Sequence, residues 1–179
     1  MDEPVGRSIM SPPNAPASSG ERWALRLVLV FTLAGAGVAG YLLTLHAAIA
    51  GNPNRGFCTF TETLSCDKVL ASAYAEIAGI PLGVIGFVGF VFLFVLASWR
   101  LVGGGRGPRW LPVCLVLTAG FGLSFELVMT WIELFVIEAV CPYCLTALGF
   151  ITATFIASLV AWQAARRNSY GGDPSCLMP

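Results

Sequence analysis

The sequence predicts an all-α integral membrane protein: a four-helix transmembrane bundle with an outer loop and a short interfacial lid helix. Apolar residues make up 56% of the 179-residue chain and charged residues only 11%, whereas soluble domains are about 25% charged. Four apolar runs are long enough to cross about 30 Å of hydrocarbon at about 1.5 Å of rise per residue. Basic residues collect on alternate connections, as a chain crossing a membrane several times requires.

Residues 1–22, rich in Pro, Ser, Gly and Ala, are expected to form a disordered leader. The first span is expected at about 24–46, because Leu27–Leu45 holds nineteen residues without a charge. Its small residues Ala34, Gly35, Ala36, Gly37, Ala39 and Gly40 would admit a close neighbouring helix. A cleavable signal peptide competes, since Ala48-Ile49-Ala50 resembles a cleavage site, but the apolar run exceeds the usual length of roughly 7–15 residues.

Residues 47–79 leave the membrane, with Gly51, Asn52, Pro53, Asn54 and Gly56 as turn formers. An amphipathic lid helix is expected from the N-cap Ser65 to Gly79 as its C′ residue. Val69, Leu70, Ala73 and Ile77 would make its apolar face, and Lys68, Ser72 and Glu76 its polar one. Further spans follow at about 80–99, 110–137 and 141–165, with a basic turn from Arg100 to Arg109 between the second and third. Residues 23–165 thus form one four-span domain, and 166–179 a polar tail.

With the N-terminus inside, the cytoplasmic side carries eight basic residues: Arg7, Arg22, Arg26, Arg100, Arg106, Arg109, Arg166 and Arg167. The outer side carries two, Arg55 and Lys68, so both termini are expected to be cytoplasmic. Trp23, Trp99, Trp110 and Trp162 fall at the same inner interface. Cys58, Cys66, Cys141 and Cys144 then share the outer, extracytoplasmic face, where disulfides persist.

Those four cysteines are the candidate catalytic residues. Cys141-Pro142-Tyr143-Cys144 is a C-x-x-C motif at the start of the fourth span, with Pro142 suited to the first helical turn. Cys141 would sit at the positive end of a helix dipole, which favours the thiolate that acts in disulfide exchange. Cys58 and Cys66, separated by seven residues, form a second pair, and Cys66 follows the cap Ser65. Structural disulfides are the plainer alternative for both pairs. Six Cys with one His make no zinc motif, so no metal is expected. The absence of a basic run or phosphate loop argues against nucleic acid.

The spaced loop cysteines, Ser65-Cys66-Asp67-Lys68-Val69-Leu70-Ala71-Ser72, Gly79-Ile80-Pro81-Leu82-Gly83-Val84-Ile85-Gly86 and Cys141-Pro142-Tyr143-Cys144 together resemble the vitamin K epoxide reductase family, in particular its bacterial branch. The resemblance covers roughly 23–165. It implies a four-helix bundle enclosing a quinone under a lid helix, with menaquinone or ubiquinone as electron acceptor. It also implies that Cys58 meets a partner protein, Cys66 relays to Cys141, and Cys144 lies next to the quinone. Val69, Leu70, Leu82 and Leu148 would line the pocket. Animal members have an asparagine where Leu82 aligns and a tyrosine where Leu148 aligns. The resulting expectation is a pocket with few side-chain donors, which reduces quinones rather than vitamin K epoxide.

The chain ends too soon for the thioredoxin-like domain fused to many bacterial members, so a separate extracytoplasmic thioredoxin-like partner is expected. A vitamin K quinone or epoxide reductase is the first alternative, and a non-enzymatic four-span protein with structural disulfides the second. Glu126 and Glu133, seven residues apart on one helical face, are expected to be protonated or paired structural groups, with proton supply to a reduced quinone as the functional alternative. His46, Cys114 and Cys176 receive no role.

Overall fold

The computed structural model describes residues 17–51, 58, 61, 63–104, 108 and 110–170. The expectations for the leader up to residue 16, for Arg7, Arg55, Arg106, Arg109 and Cys176, and for the last nine residues lie outside these. Four long helices make the bundle: α1 (Ser19–Gly51), α3 (Leu82–Val102), α4 (Leu111–Ile132) and α5 (Pro142–Tyr170). A π-helical turn, Glu133–Ile137, prolongs α4. All four are long and apolar enough to cross a membrane. The fold is an all-α four-helix membrane bundle.

Helix α1 is the central element, packed on both α3 and α5, while α4 rests mainly on α5 and only lightly on α3. Leu25, Val28, Leu93, Leu111 and Leu115 fill the shared core, while Val30, Leu33, Val88, Val95, Leu117 and Phe121 point outward. An apolar exterior of this kind suits lipid tails, so small residues rather than water exclusion bring the helices together. At Gly83 an added Cβ would stand 3.3 Å from the Leu43 nitrogen and 3.4 Å from the Ala39 carbonyl oxygen, so α3 approaches the backbone of α1 there. Gly35 gives the complementary contact, since the Phe90 ring occupies the space its side chain would need.

At the end away from the cysteines, α1 begins at Ser19, inside the segment expected to be a disordered leader. The physical reason is a buried ion pair. Arg100 Nε donates to Glu21 Oε1 at 2.8 Å, and only 2% of Glu21 and 7% of Arg100 is exposed. The Glu21 amide also donates to Ser18 Oγ, and the Ala17 amide to the Gly104 carbonyl. Arg100, read from sequence as part of a solvated basic turn, is therefore a clamp between α1 and α3. Trp23, Trp99 and Trp110 are exposed at this end. Arg26 lies 5.6 Å from the Trp23 ring centroid and Arg166 4.9 Å from that of Trp162.

The lid over the other end is shorter and more broken than its apolar pattern implies. Helix α2 spans Cys66–Leu70, capped by Ser65, whose Oγ accepts from the Lys68 amide. It stops because Ser72 turns back on it, with both amide and hydroxyl donating to the Val69 carbonyl. A 3₁₀ turn (Ala73–Ala75) and a two-stranded hairpin follow, β1 (Glu76–Ile77) and β2 (Ile80–Pro81). Gly79 is thus a hairpin turn residue instead of a helix C′ position. Ala78 and Gly79 have φ values of 53° and 78°, as a tight hairpin with two left-handed residues needs. Pro81 caps α3.

Removing one member of a buried ion pair leaves the other charged and desolvated, at a cost of about 3–5 kcal/mol. Arg100→Ala should destabilise the bundle by that order in denaturant unfolding in detergent. The double variant Glu21→Leu/Arg100→Met should recover most of the loss; equal destabilisation by both would contradict the clamp.

Candidate active site

Cys66 is carried to the C-x-x-C by backbone pairing. Val140, the residue before Cys141, donates its amide to the Thr63 carbonyl at 2.8 Å, and its carbonyl accepts the Ser65 amide at 3.2 Å. Leu64 and Val140 therefore form a parallel bridge. Cys66, two residues after Leu64, and Cys141, next after Val140, are both buried with their thiols facing each other. Cys58 is drawn in by the same loop: its carbonyl accepts the Cys66 amide at 2.9 Å, and its own amide donates to Asp67 Oδ2 at 3.1 Å.

Three sulfurs consequently form a chain. Cys58 Sγ lies 2.7 Å from Cys66 Sγ, and Cys66 Sγ 3.1 Å from Cys141 Sγ. All three cysteines are free and buried. Cys144 follows Cys141 within the first turn of α5 and hydrogen-bonds to it through the thiol. The proton affinities along the chain are unequal. Burial first, then hydrogen bonds with Cys58 and Cys141, pushes the Cys66 thiol well above its ordinary value. Cys141, one residue outside the fourth span, is lowered to about 7, first by the hydrogen bond with the Cys144 thiol, against the opposing effect of burial.

Cys144 also borders an open cavity between the helices and the lid. The cavity lies where α3 and α4 pack least closely, roofed by the lid. Val69, Leu70 and Leu82 line it. Leu148 does not: it packs against the helix core, and Ala147 takes the cavity wall.

Polar residues also line the cavity: His46, Ser72, Tyr74, Glu126 and Glu133. Sequence reasoning gave His46 no role; here its Nε2 lies 3.1 Å from Glu76 Oε1, joining α1 to the lid hairpin. Hydrophobic periodicity could not reveal this pair, since its members are thirty residues apart. Glu133 Oε2 accepts the Cys141 amide at 3.1 Å. Tyr143, inside the motif, stacks on Tyr41 of α1 with centroids 5.0 Å apart. Cys114 lies in the first turn of α4 and packs against the helix core, apart from the other four.

The vitamin K epoxide reductase family model matches residues 26–159. That match includes all four clustered cysteines, the lid and most of the four spans. It implies an oxidoreductase of membrane location. By the extent of this match, the chain belongs to the vitamin K epoxide reductase family.

Proposed function

We propose that the protein oxidises an extracytoplasmic thioredoxin-like dithiol protein and reduces a membrane quinone, menaquinone or ubiquinone, supporting disulfide formation in exported proteins. The observation that carries this reading is the chain of sulfurs from Cys58 through Cys66 and Cys141 to Cys144 at the cavity wall. A flat apolar ring with two carbonyl oxygens suits a largely apolar cavity with a few polar groups at its edge. The weak α3–α4 contact leaves a neighbouring groove, sharing Gly86, Phe90, Phe125 and Glu126 with the cavity, on the face where lipid would lie.

The electron transfer is a succession of thiol–disulfide exchanges. A partner thiolate attacks Cys58 of the Cys58–Cys66 disulfide, and Cys66 leaves. The partner's second thiol then releases the partner as its own disulfide. Cys66 thiolate attacks Cys141 of the Cys141–Cys144 disulfide, and Cys144 leaves. Cys58 resolves the Cys66–Cys141 bond by attacking Cys66 and expelling Cys141, a good leaving group because its thiol is lowered to about 7. Two electrons have then moved from partner to Cys141 and Cys144. Quinone, as the terminal acceptor, takes them and two protons, and the Cys141–Cys144 disulfide is restored.

The orientation bias of basic residues supports cysteines on the outer face. Impermeant maleimide applied to whole cells should label a cysteine introduced at Ser72 and spare one introduced at Gly103. The reverse pattern would invert the topology and remove the exported partner.

Cys141→Ser and Cys144→Ser should abolish quinone reduction with any reductant. Cys58→Ser and Cys66→Ser should abolish it with a thioredoxin-like protein but retain slow turnover with a small dithiol able to reach Cys141. Cys114→Ser should remain active. Equal loss in all four, with both reductants, would contradict the relay. Reduction of vitamin K epoxide is the second reading, favoured by His46, Ser72 and Tyr74 as possible donors at the cavity. The same assay with epoxide as acceptor decides: a clear quinone preference supports the first reading, and comparable rates support the second.

A further inference from the structure

We propose that Glu133 is the acid–base group of the quinone-side dithiol, taking the Cys144 proton and delivering it into the cavity. This rests on the quinone-reducing reading above. Glu133 is only 4% exposed, and a carboxyl group inside a membrane bundle is costly unless it is used or well held. It is held on one side only by a neutral group: its Oε2 accepts the Cys141 amide at 3.1 Å. The Cys144 thiol lies beside the same carboxyl. Glu133 and Cys144 both border the cavity. One carboxyl therefore touches the backbone of the first motif cysteine, the thiol of the second, and the space where an acceptor would sit.

The backbone fixes this placement. The Glu133 carbonyl accepts the amides of both Glu138 and Ala139 in the π-helical turn that ends α4. Glu138 turns left-handed at φ 53°, which sends the chain back toward Cys141. A π turn at this point rotates the last residues of α4 relative to an α-helix, and such turns recur at functional sites. Among the described residues, the other titratable groups around the carboxyl are Glu126 on α4, Cys141 and Cys144 at the start of α5, Cys66 on the lid, and His46 on α1 and Tyr74 on the lid, which share the cavity.

The proton balance is simple. Two thiols and a quinone become a disulfide and a hydroquinone, with two electrons and two protons transferred. Glu133 accepts the proton of Cys144 as the thiolate forms. As the Cys141–Cys144 bond closes and the electron pair leaves the sulfurs, Glu133 hands that proton to a quinone oxygen and ends ionised, as it began. The second proton, from Cys141, is released to water at the outer end of the bundle, and the second oxygen receives one from the same water.

Glu133→Gln tests this, because the amide oxygen can still accept the Cys141 amide while proton transfer is lost. Two readouts are needed. In the fully reduced protein without quinone, the alkylation rate of Cys144 by iodoacetamide is followed against pH by peptide mass spectrometry. Removing the carboxylate should move that profile to lower pH, since a negative acceptor beside the thiol opposes its ionisation; an unmoved profile would mean that Glu133 does not face the Cys144 thiol. In dithiol-driven turnover, kcat should fall about 10²–10⁴-fold, the usual span of general acid–base catalysis, with KM little changed. Glu133→Asp, which keeps the acid on a shorter arm, should retain more activity than Glu133→Gln at matched folding. An unmoved alkylation profile, or a kcat within about threefold of wild type, would overturn the proposal. Failure of the unaltered protein to reduce quinone would overturn the parent reading instead, and the alkylation profile would still report on the Glu133–Cys144 contact.

Discussion

The two hydrogen bonds that join Val140 to Thr63 and Ser65 are the constraint on which the site depends. They are short-range in space but join positions about seventy-five residues apart, so they set the register between lid and bundle. Cys66 follows Leu64 by two residues and Cys141 follows Val140 by one, and their sulfurs meet at 3.1 Å. Asp67 then adds Cys58 to the chain by accepting its amide. The helices place the motif; the strand-like bridge aligns the thiols.

The bundle divides into an end locked by an ion pair and an end covered by the lid. At the locked end, Glu21 and Arg100 are nearly inaccessible, and their charge-assisted hydrogen bond ties α1 to α3. At the other end the lid is assembled from a five-residue helix, a 3₁₀ turn and a two-residue hairpin. Besides the apolar packing of Cys66 and Val69 against Leu42, Leu45 and Ile49, the lid meets α1 through the His46–Glu76 contact, in which the Glu76 side chain is 48% exposed. Exposed pairs of that kind are worth only about 0–1 kcal/mol.

Features with local periodicity or composition were readable from the sequence. Unbroken apolar runs gave the four helices, and Ser65 gave the cap of α2. Long-range polar pairing was not readable. Glu21 sits in a Ser- and Gly-rich stretch whose composition points to disorder, and only a partner on another helix makes it ordered and buried. The lid was over-extended for the opposite reason: Ala73 and Ile77 fit an apolar helical face, but Ser72 offers the backbone a competing hydrogen bond that ends the helix. At the cavity, motif alignment named Val69, Leu70 and Leu82 on its wall, yet missed the polar groups and assigned Leu148 instead of Ala147. Side chains from α1, the lid and α4 converge there, and no single stretch of sequence records that convergence.

The central claim is that Cys66 passes electrons across the bridge to Cys141, and a trapped intermediate tests it most directly. In a Cys58→Ser/Cys144→Ser protein the only remaining clustered thiols are Cys66 and Cys141. Mild oxidation followed by peptide mass spectrometry should recover a Cys66–Cys141 disulfide rapidly and in high yield, without prior unfolding. Thiols that stay free under native conditions, or that pair with Cys114 instead, would contradict the aligned relay.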